Sequence, residues 1–291
     1  MSGPVAPLSP LRGRLLVVAA ALLWSTGGLA IKLVPLPALG VAFWRSLVSA
    51  IFLVVVFRPA RARWRHASIA TSLIYALMIL SFVSATKMTT AANAIFLQYT
   101  GPLYVLAFAP FLLKERFRHV DAAAMAVALA GMSLFFVGRL DPGALTGNLV
   151  AVVAGFFFGL VILLLRRDAA GDAIPSVIAG NFLAAALAFP FARGHLALDG
   201  RGILLVLFLG IVQLGISYVL FVRGLTVVPA AEASLLGMLE PMFNPLWAFL
   251  GLGEKPSAWA LLGGAIVLCA VAGRTVFGWR AGDPAPLPSP D

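Results

Sequence analysis

Charged residues are scarce in this sequence. Lys, Arg, Asp and Glu make up 11% of its 291 residues, whereas soluble domains contain roughly 25%. Hydrophobic residues account for 62%, and the mean hydropathy is +1.02. A chain with so few polar groups cannot cover its surface with side chains that water solvates, which excludes a soluble globular protein. The sequence therefore predicts an integral membrane protein.

Clusters of reactive side chains are lacking as well. The only cysteine, Cys269, lies inside an apolar run, so the chain cannot form an internal disulfide. The three histidines and eleven acidic residues are scattered, without the spacing of a metal or nucleophile site. No glycine-rich phosphate loop with a lysine is present. These absences predict a protein without enzymatic activity, cofactor or metal.

The formal net charge of +10 does not indicate a nucleic-acid partner, because the basic residues flank the apolar runs. No basic block with interleaved aromatic residues is found. In membrane proteins, flanking Lys and Arg residues set the topology and contact anionic lipid headgroups. The predicted partner is therefore the lipid bilayer.

Ten apolar runs are long enough to cross a bilayer, which needs about 20 helical residues. Charged residues, glycine or proline separate them, and the connections are too short for an extramembrane domain. The sequence thus predicts an all-α protein with ten transmembrane helices and flexible termini at 1–14 and 278–291. The ten predicted helices, numbered in chain order, cover residues 15–34, 38–57, 68–88, 90–113, 120–138, 147–165, 173–192, 203–225, 229–251 and 257–277.

The distribution of basic residues predicts the topology. If the amino terminus is cytoplasmic, fourteen Lys or Arg residues flank the inner ends of the runs and six flank the outer ends. Arg45, inside a run, completes the total of 21. Because cytoplasmic loops are enriched in Lys and Arg, this bias predicts that both termini lie in the cytoplasm.

An internal repeat indicates the architecture. When the chain is shifted by 139 residues, AANAIFLQYTGP at 91–102 aligns without a gap with AAEASLLGMLEP at 230–241. The alignment also pairs Glu115 with Glu254. Each half, 15–138 and 147–277, contains five predicted helices. Since five is odd, the halves must have opposite orientations in the membrane, an arrangement typical of transporters.

The repeated segments, with LLWSTGGLAIK in helix 1 and FWRSLVSA in helix 2, resemble the drug/metabolite transporter superfamily. The resemblance is to its bacterial ten-helix, two-repeat branch (EamA-type), and it covers residues of about 15–277. It implies a multi-pass protein of the bacterial inner (cytoplasmic) membrane that exports metabolites. It also implies a central cavity lined mainly by helices 3, 4, 8 and 9, with helices 1, 2, 6 and 7 outside them.

Two charged residues inside the runs are candidates for transport chemistry. Glu240 lies near the middle of helix 9, where a charge is costly unless it is paired or faces water. Helical periodicity places Asn244 and Trp247 on the same face. Glu240 is either a proton or cation site or one half of a structural ion pair. Arg45 in helix 2 suits the carboxylate of Glu240 or that of an amino-acid substrate.

Two prolines at aligned positions, Pro102 and Pro241, are predicted hinges. Proline removes one backbone hydrogen bond, so Pro241 leaves the carbonyl of Gly237 free to accept another partner. Further polar and aromatic residues form stripes on the predicted helices, which is typical both of a cavity wall and of helix packing. These cavity candidates are Tyr75, Phe82, Asn93, Thr100, Tyr104, Trp24, Gln213 and Tyr218.

The pattern and the resemblance together predict a secondary transporter that works by alternating access. Its expected substrates are small organic metabolites, with amino acids or aromatic compounds favoured, and its expected direction is export. Protons are a candidate coupling ion, and a homodimer is a candidate assembly. A facilitative channel, a lipid scramblase and a membrane-embedded enzyme are the alternatives.

Overall fold

The computed structural model describes residues 8–58, 64, 67–116, 118–134, 137, 145–170, 172–252 and 257–280. Within these ranges the side chains at 92, 244, 245, 248, 249, 251, 252, 260 and 277–280 are not described. The regular secondary structure of the described ranges is helical, which confirms the predicted all-α membrane fold. Residues 138–144, residues 281–291 and the side chain of Asn244, a candidate on the face of Glu240, therefore lie outside the description.

The helices follow one another with short connections. A π-helix, Phe208–Ile216, lies between α10 and α11. The α-helices are α1 Pro10–Trp24, α2 Gly27–Leu33, α3 Ala38–Phe57, α4 Ile69–Met88, α5 Ala91–Gln98, α6 Gly101–Leu112, α7 His119–Ser133, α8 Leu145–Asp168, α9 Ile174–Ala192, α10 Gly200–Leu207, α11 Ser217–Leu225, α12 Ala230–Gly237, α13 Leu239–Leu252 and α14 Ala258–Arg280.

These elements correspond to the ten predicted helices. Seven stretches of the described residues are long and apolar enough to cross a membrane. Two further apolar helices, His119–Ser133 and Leu261–Val276, are shorter. The predicted ninth helix is divided into α12 and α13. Helix 1 is longer than expected, since it begins at Pro10, where the side chain of Ser9 accepts a hydrogen bond from the backbone N–H of Arg12.

Helices 4 and 9 are broken at aligned positions, just before the predicted hinge prolines. The first break separates α5 from α6 at Tyr99 and Thr100, and the second separates α12 from α13 at Met238. A shift of 139 residues superimposes Tyr99 on Met238. Both breaks place proline in the first turn of the following helix, a position that proline favours. A third break, between α1 and α2, was not predicted.

The two halves are packed into each other. Helix α4 packs against α8 and α9, α3 against α9 and the π-helix, α1 against α11, and α7 against α14. Each of these contacts joins one half to the other, which places the centre of the protein at the boundary between the repeats.

Glycines permit close contact at the break in helix 4. A Cβ atom at Gly155 of α8 would lie 2.4 Å from Thr100 Oγ1, and one at Gly159 would lie 2.6 Å from the Gly101 carbonyl oxygen. Helix α8 can therefore support the broken segment only without side chains at these positions.

Candidate functional site

A small cavity with polar groups in a mostly apolar wall lies between the halves. Its volume is about 30 Å³, enough for about two water molecules. The cavity is reached by helices 1, 2 and 6 as well as by 3, 4, 8 and 9, so its wall is wider than the resemblance implies. It is lined by Trp24, Arg45, Met78, Ile79, Phe82, Gln98, Phe158, Gln213, Leu214, Tyr218 and Glu240.

Arg45 supplies the positive charge of the cavity. It lies in the middle of α3 with 1% of its surface exposed. Its Nη2 donates a hydrogen bond of 2.8 Å to Gln213 Oε1 on the π-helix. Its Nε and Nη1 have no hydrogen-bond partner among the described residues. Because buried donors without partners are costly, these two nitrogens are available to an acceptor that enters the cavity.

Glu240 supplies the negative charge, at the first turn of α13. The hydroxyl oxygen of Tyr99 lies 2.7 Å from Glu240 Oε2 and 2.7 Å from the carbonyl oxygen of Gly237. A phenol has one proton and can donate to only one of these two acceptors. A protonated Glu240 would satisfy both contacts, since it can donate to Tyr99 while Tyr99 donates to Gly237.

The backbone chemistry at Pro241 produces this arrangement. Pro241 has no N–H, so the carbonyl of Gly237 one turn earlier is free, as the sequence predicted. The hydroxyl of Tyr99, at the break of the other repeat, contacts this carbonyl oxygen. Tyr99 was missed in the sequence because its aligned residue, Met238, is apolar. Its position three residues before the predicted hinge Pro102 is the signal that would have identified it.

Arg45 and Glu240 share the cavity but are not in contact. Among the described residues, no nitrogen of Arg45 lies within 4.0 Å of a carboxylate oxygen. The nearest hydrogen-bond partners of the two charges are uncharged, namely Gln213 and Tyr99. Both charges therefore remain available to a third group.

Aromatic rings form much of the remaining wall. The ring of Trp24 lies 5.0 Å from that of Tyr218 and 6.1 Å from that of Phe158, between centroids. Tyr75 lies behind Tyr218, at 4.8 Å, and its hydroxyl accepts a 3.1 Å hydrogen bond from Asn181. Of the predicted candidates, the structure thus brings together Trp24, Arg45, Tyr75, Phe82, Gln213, Tyr218 and Glu240.

Three other candidates lie on helix 4 but outside the cavity lining. The Asn93 side chain contacts Thr89 and Asn148 near the end of α4. The Thr100 hydroxyl donates to the carbonyl of Leu97, at 2.8 Å. The Tyr104 ring packs on Phe156 of α8, with 5.2 Å between the ring centroids. These placements resemble helix packing, which was the other interpretation of the same stripe.

Trp247 lies at a separate apolar groove. Its Nε1 donates a 2.7 Å hydrogen bond to the hydroxyl of Ser25, at the break between α1 and α2. The groove has a volume of about 360 Å³. It is lined by Thr26, Leu29, Ala30, Leu33, Leu205, Phe208, Trp247 and Leu250.

The end of the bundle that contains the start of helix 1 is closed by buried ion pairs. Arg14 Nε lies 2.6 Å from Glu232 Oε1, and Arg274 Nη2 lies 3.7 Å from Glu232 Oε2. Arg274 also pairs with Asp121. We call Arg14, Asp121, Glu232 and Arg274 the ionic cluster. It joins helices 1, 5, 9 and 10.

A second buried ion pair lies at the same end of the bundle. Arg166 Nε donates to Glu115 Oε1 at 2.9 Å, and the backbone N–H of Ala230 donates to the other oxygen of Glu115 at 3.0 Å. This pair ties the end of helix 4 to helix 6 and to the start of helix 9. Glu115 is thus held by partners in two neighbouring helices, the side chain of Arg166 and the backbone of Ala230.

At the opposite end of the bundle, hydrogen bonds join the residues named here, and these residues form no ion pairs with one another. Lys32 Nζ donates to the Thr89 carbonyl at 2.7 Å, and Lys87 Nζ donates to the Val34 carbonyl at 2.8 Å. The Thr89 hydroxyl also contacts Asn148 Oδ1 at 2.9 Å. The two ends of the bundle are therefore closed by different chemistry.

Comparison with known proteins finds a matching family and related sequences. Residues 11–137 and 145–275 each match the EamA-like transporter family. An uncharacterized protein of Pseudomonas aeruginosa is 30% identical over 227 residues, which cover 74% of this chain and 76% of that protein. The threonine/homoserine exporter RhtA of Escherichia coli is 28% identical over 274 residues, which cover 90% of both chains.

A solved structure shows the same fold. It is 22% identical in sequence and superposes with a TM-score of 0.78, covering 94% of this chain and 100% of that chain. At this level of identity the likeness concerns the fold alone.

Proposed function

Because the chain belongs to the EamA-like transporter family, we propose that this multi-pass membrane transporter exports small organic metabolites by alternating access. Amino acids or aromatic compounds are the proposed substrates. The central cavity is the observation that carries the proposal. It combines Arg45, Glu240 and aromatic rings between two repeated halves, and its two charges do not contact each other. A small solute with polar and apolar parts suits such a wall.

Alternating access is supported by the paired helix breaks. Two similar halves in opposite orientation can exchange conformations and so open the cavity first to one side and then to the other. Breaks adjoining Pro102 and Pro241 provide positions at which helices 4 and 9 can bend. Since a cavity of about 30 Å³ is too small for an amino acid, the halves must separate before a substrate enters.

A proton is the proposed coupling ion, with Glu240 as its site. The contacts of Tyr99 fit a protonated carboxyl group, and the carboxyl group adjoins the bend in helix 9. Gain or loss of that proton would change the hydrogen bonding between the two breaks. It would therefore favour one conformation over the other.

The proposed location is the bacterial inner membrane with both termini in the cytoplasm, as the positive charges predict. The two repeats, 15–138 and 147–277, are the proposed domains. The segments 1–14 and 278–291, predicted to be flexible, are helical from Pro10 and up to Arg280. The proposed assembly is a homodimer.

Flux measurements on proteoliposomes test this function. L-Threonine, L-homoserine and L-phenylalanine are the probes, and each is loaded with and without a pH gradient. We expect saturable efflux of at least one probe, accelerated by the gradient and insensitive to it in Glu240→Gln. Flux that rises linearly with concentration would instead indicate a channel, and movement of labelled lipid alone would indicate a scramblase.

A further inference from the structure

We propose that Arg45 anchors a carboxylate group of the transported solute, and that the side-chain amide of Gln213 occupies the anchor until the solute replaces it. This inference rests on the proposed export function and specifies its substrate class. The proposed ligand is a small carboxylic acid, and a zwitterionic α-amino acid best matches the groups that line the cavity.

The bonding of the guanidinium is the first reason. Arg45 is 99% buried, with 1% of its surface exposed, yet Nε and Nη1 have no partner among the described residues. A carboxylate binds guanidinium through two parallel hydrogen bonds, from Nη2 and either Nε or Nη1. Both two-bond arrangements include Nη2, the nitrogen that now donates to Gln213 Oε1 at 2.8 Å. Nη2 carries two N–H groups and the amide oxygen accepts from one of them, so a carboxylate that binds in the arrangement using that N–H must replace the amide.

The position of Gln213 is the second reason. Its amide oxygen is a neutral acceptor that makes one bond, whereas a carboxylate has the opposite charge and can make two parallel bonds to the guanidinium. Its Nε2 makes only a long contact, 3.4 Å, with the carbonyl of Trp24. The amide fits beside Gly27 only because that residue lacks a side chain, since a Cβ there would lie 2.5 Å from Nε2. Among the described residues, the amide thus makes one short hydrogen bond, to Arg45, and a solute can replace it.

The local backbone around Gln213 is the third reason. Gln213 lies within the π-helix Phe208–Ile216, whereas the aligned part of the first repeat, 69–77, is regular α-helix in α4. π-Helical turns are costly and occur frequently at functional sites. The π-helix is a feature of the second half, and it presents Gln213 to Arg45 across the boundary between the repeats.

The rest of the cavity identifies the solute more closely. Glu240 lies in the same cavity and makes no ion pair with Arg45 among the described residues, so once deprotonated it can receive a positive group of the solute. Trp24, Phe158 and Tyr218 provide apolar surface for a side chain. Arg45, deprotonated Glu240 and the apolar wall match the carboxylate, the ammonium group and the side chain of an α-amino acid, respectively.

A matched pair of ligands tests the inference on purified full-length protein. L-Phenylalanine and phenethylamine differ by the carboxylate, as do L-threonine and its decarboxylated amine. We expect saturable binding of at least one acid and binding at least 10-fold weaker for its amine. Arg45→Lys keeps the charge but loses the two-bond geometry, so affinity for the acid should fall by about 10- to 150-fold. Affinity for the amine should not change.

A second variant tests the replaceable amide directly. Gln213→Glu places a carboxylate beside Arg45, so we expect binding of the acid to be lost while the melting temperature is kept or raised. Gln98→Glu is the control, because it adds the same charge to the same cavity. Gln98 contacts the sulfur of Met78 at 3.9 Å. Its variant should weaken binding of the acid less than Gln213→Glu does, because Gln98 is not hydrogen-bonded to Arg45 among the described residues.

Three results would overturn the inference. They are equal affinity for the acid and the amine, wild-type binding of the acid by Gln213→Glu, and no saturable binding of any acid. Failure of the proposed function gives a different result, namely a preference for the acid in binding without transport in proteoliposomes.

Discussion

At the scale of single residues, the site separates its charges and gives each an uncharged partner. Arg45 donates to Gln213, and Glu240 is bonded to Tyr99. A buried ion pair would gain attraction but would also neutralise the groups that a solute must contact. The direct pairing of Arg45 with Glu240, one of the two roles considered from the sequence, is absent between these described residues. Their shared cavity still allows each charge to affect the other.

The Tyr99 hydroxyl is the first residue to test. Tyr99→Phe removes the contacts to both Glu240 Oε2 and the Gly237 carbonyl oxygen, so two buried polar groups lose a hydrogen-bond partner. We expect the free energy of unfolding to fall by about 2 kcal/mol. Chemical denaturation in detergent measures the loss. Tyr104→Phe is the control and should change stability little, because Tyr104 lies outside the cavity lining. Equal effects of both substitutions would contradict the assigned role of Tyr99.

At the scale of helices, proline chemistry made the main breaks predictable from sequence. Pro102 and Pro241 indicated them, and Pro241 also indicated the free carbonyl at Gly237. The sequence did not predict the break between α1 and α2 or the π-helix that carries Gln213. Neither contains an internal proline, and both depend on packing against distant helices, which periodicity cannot detect. The contacts of Tyr99 with Glu240 and of Gln213 with Arg45 were hidden for the same reason, because each joins one repeat to the other.

The bend in helix 9 can be tested by restoring its backbone hydrogen bond. Pro241→Ala supplies an N–H that can donate to the Gly237 carbonyl, so we expect a straighter helix and slower exchange between conformations. Transport should fall several-fold, while equilibrium binding stays near the wild-type value. Flux in proteoliposomes and binding in detergent are measured on one preparation.

The control for this bend is Pro190→Ala. Pro190 lies inside α9, near its end, and its surface is exposed. The substitution should leave transport unchanged. If Pro241→Ala also transports at the wild-type rate, the proline contributes to packing and not to conformational exchange.

At the scale of the whole molecule, the two ends of the bundle differ in chemistry, and each faces one side of the membrane. The positive charges predict that the ionic cluster faces the cytoplasm. Single cysteines at Gly194 and Thr226, which are both exposed, test this after Cys269→Ala removes the native thiol. An impermeant thiol reagent on intact cells should label Gly194→Cys and not Thr226→Cys. The opposite pattern would reverse the topology.

The ionic cluster is expected to control access from its own side. Glu232 contacts both Arg14 and Arg274 in a site from which water is largely excluded, since 2% of Glu232 is exposed. Glu232→Gln would leave two arginines close together without their shared carboxylate. Removing one member of a buried charge group costs about 3 to 5 kcal/mol. Separation of helices 1, 9 and 10 relieves that cost by admitting water, so this end should open more often.

Thiol labelling at Ser234 measures the opening. Ser234 is 1% exposed and lies half a turn beyond Glu232 in α12. In the Cys269→Ala background, Glu232→Gln should raise the labelling rate of Ser234→Cys several-fold in vesicles that expose this end. Asn93→Ala, at the aligned position of the opposite end, should leave that rate unchanged, because Asn93 is bonded there to Thr89 and Asn148. If Glu232→Gln lowers the melting temperature but does not increase labelling, the cluster only stabilises the fold. Increased labelling in Glu232→Gln alone would show that this end opens when its shared carboxylate is removed.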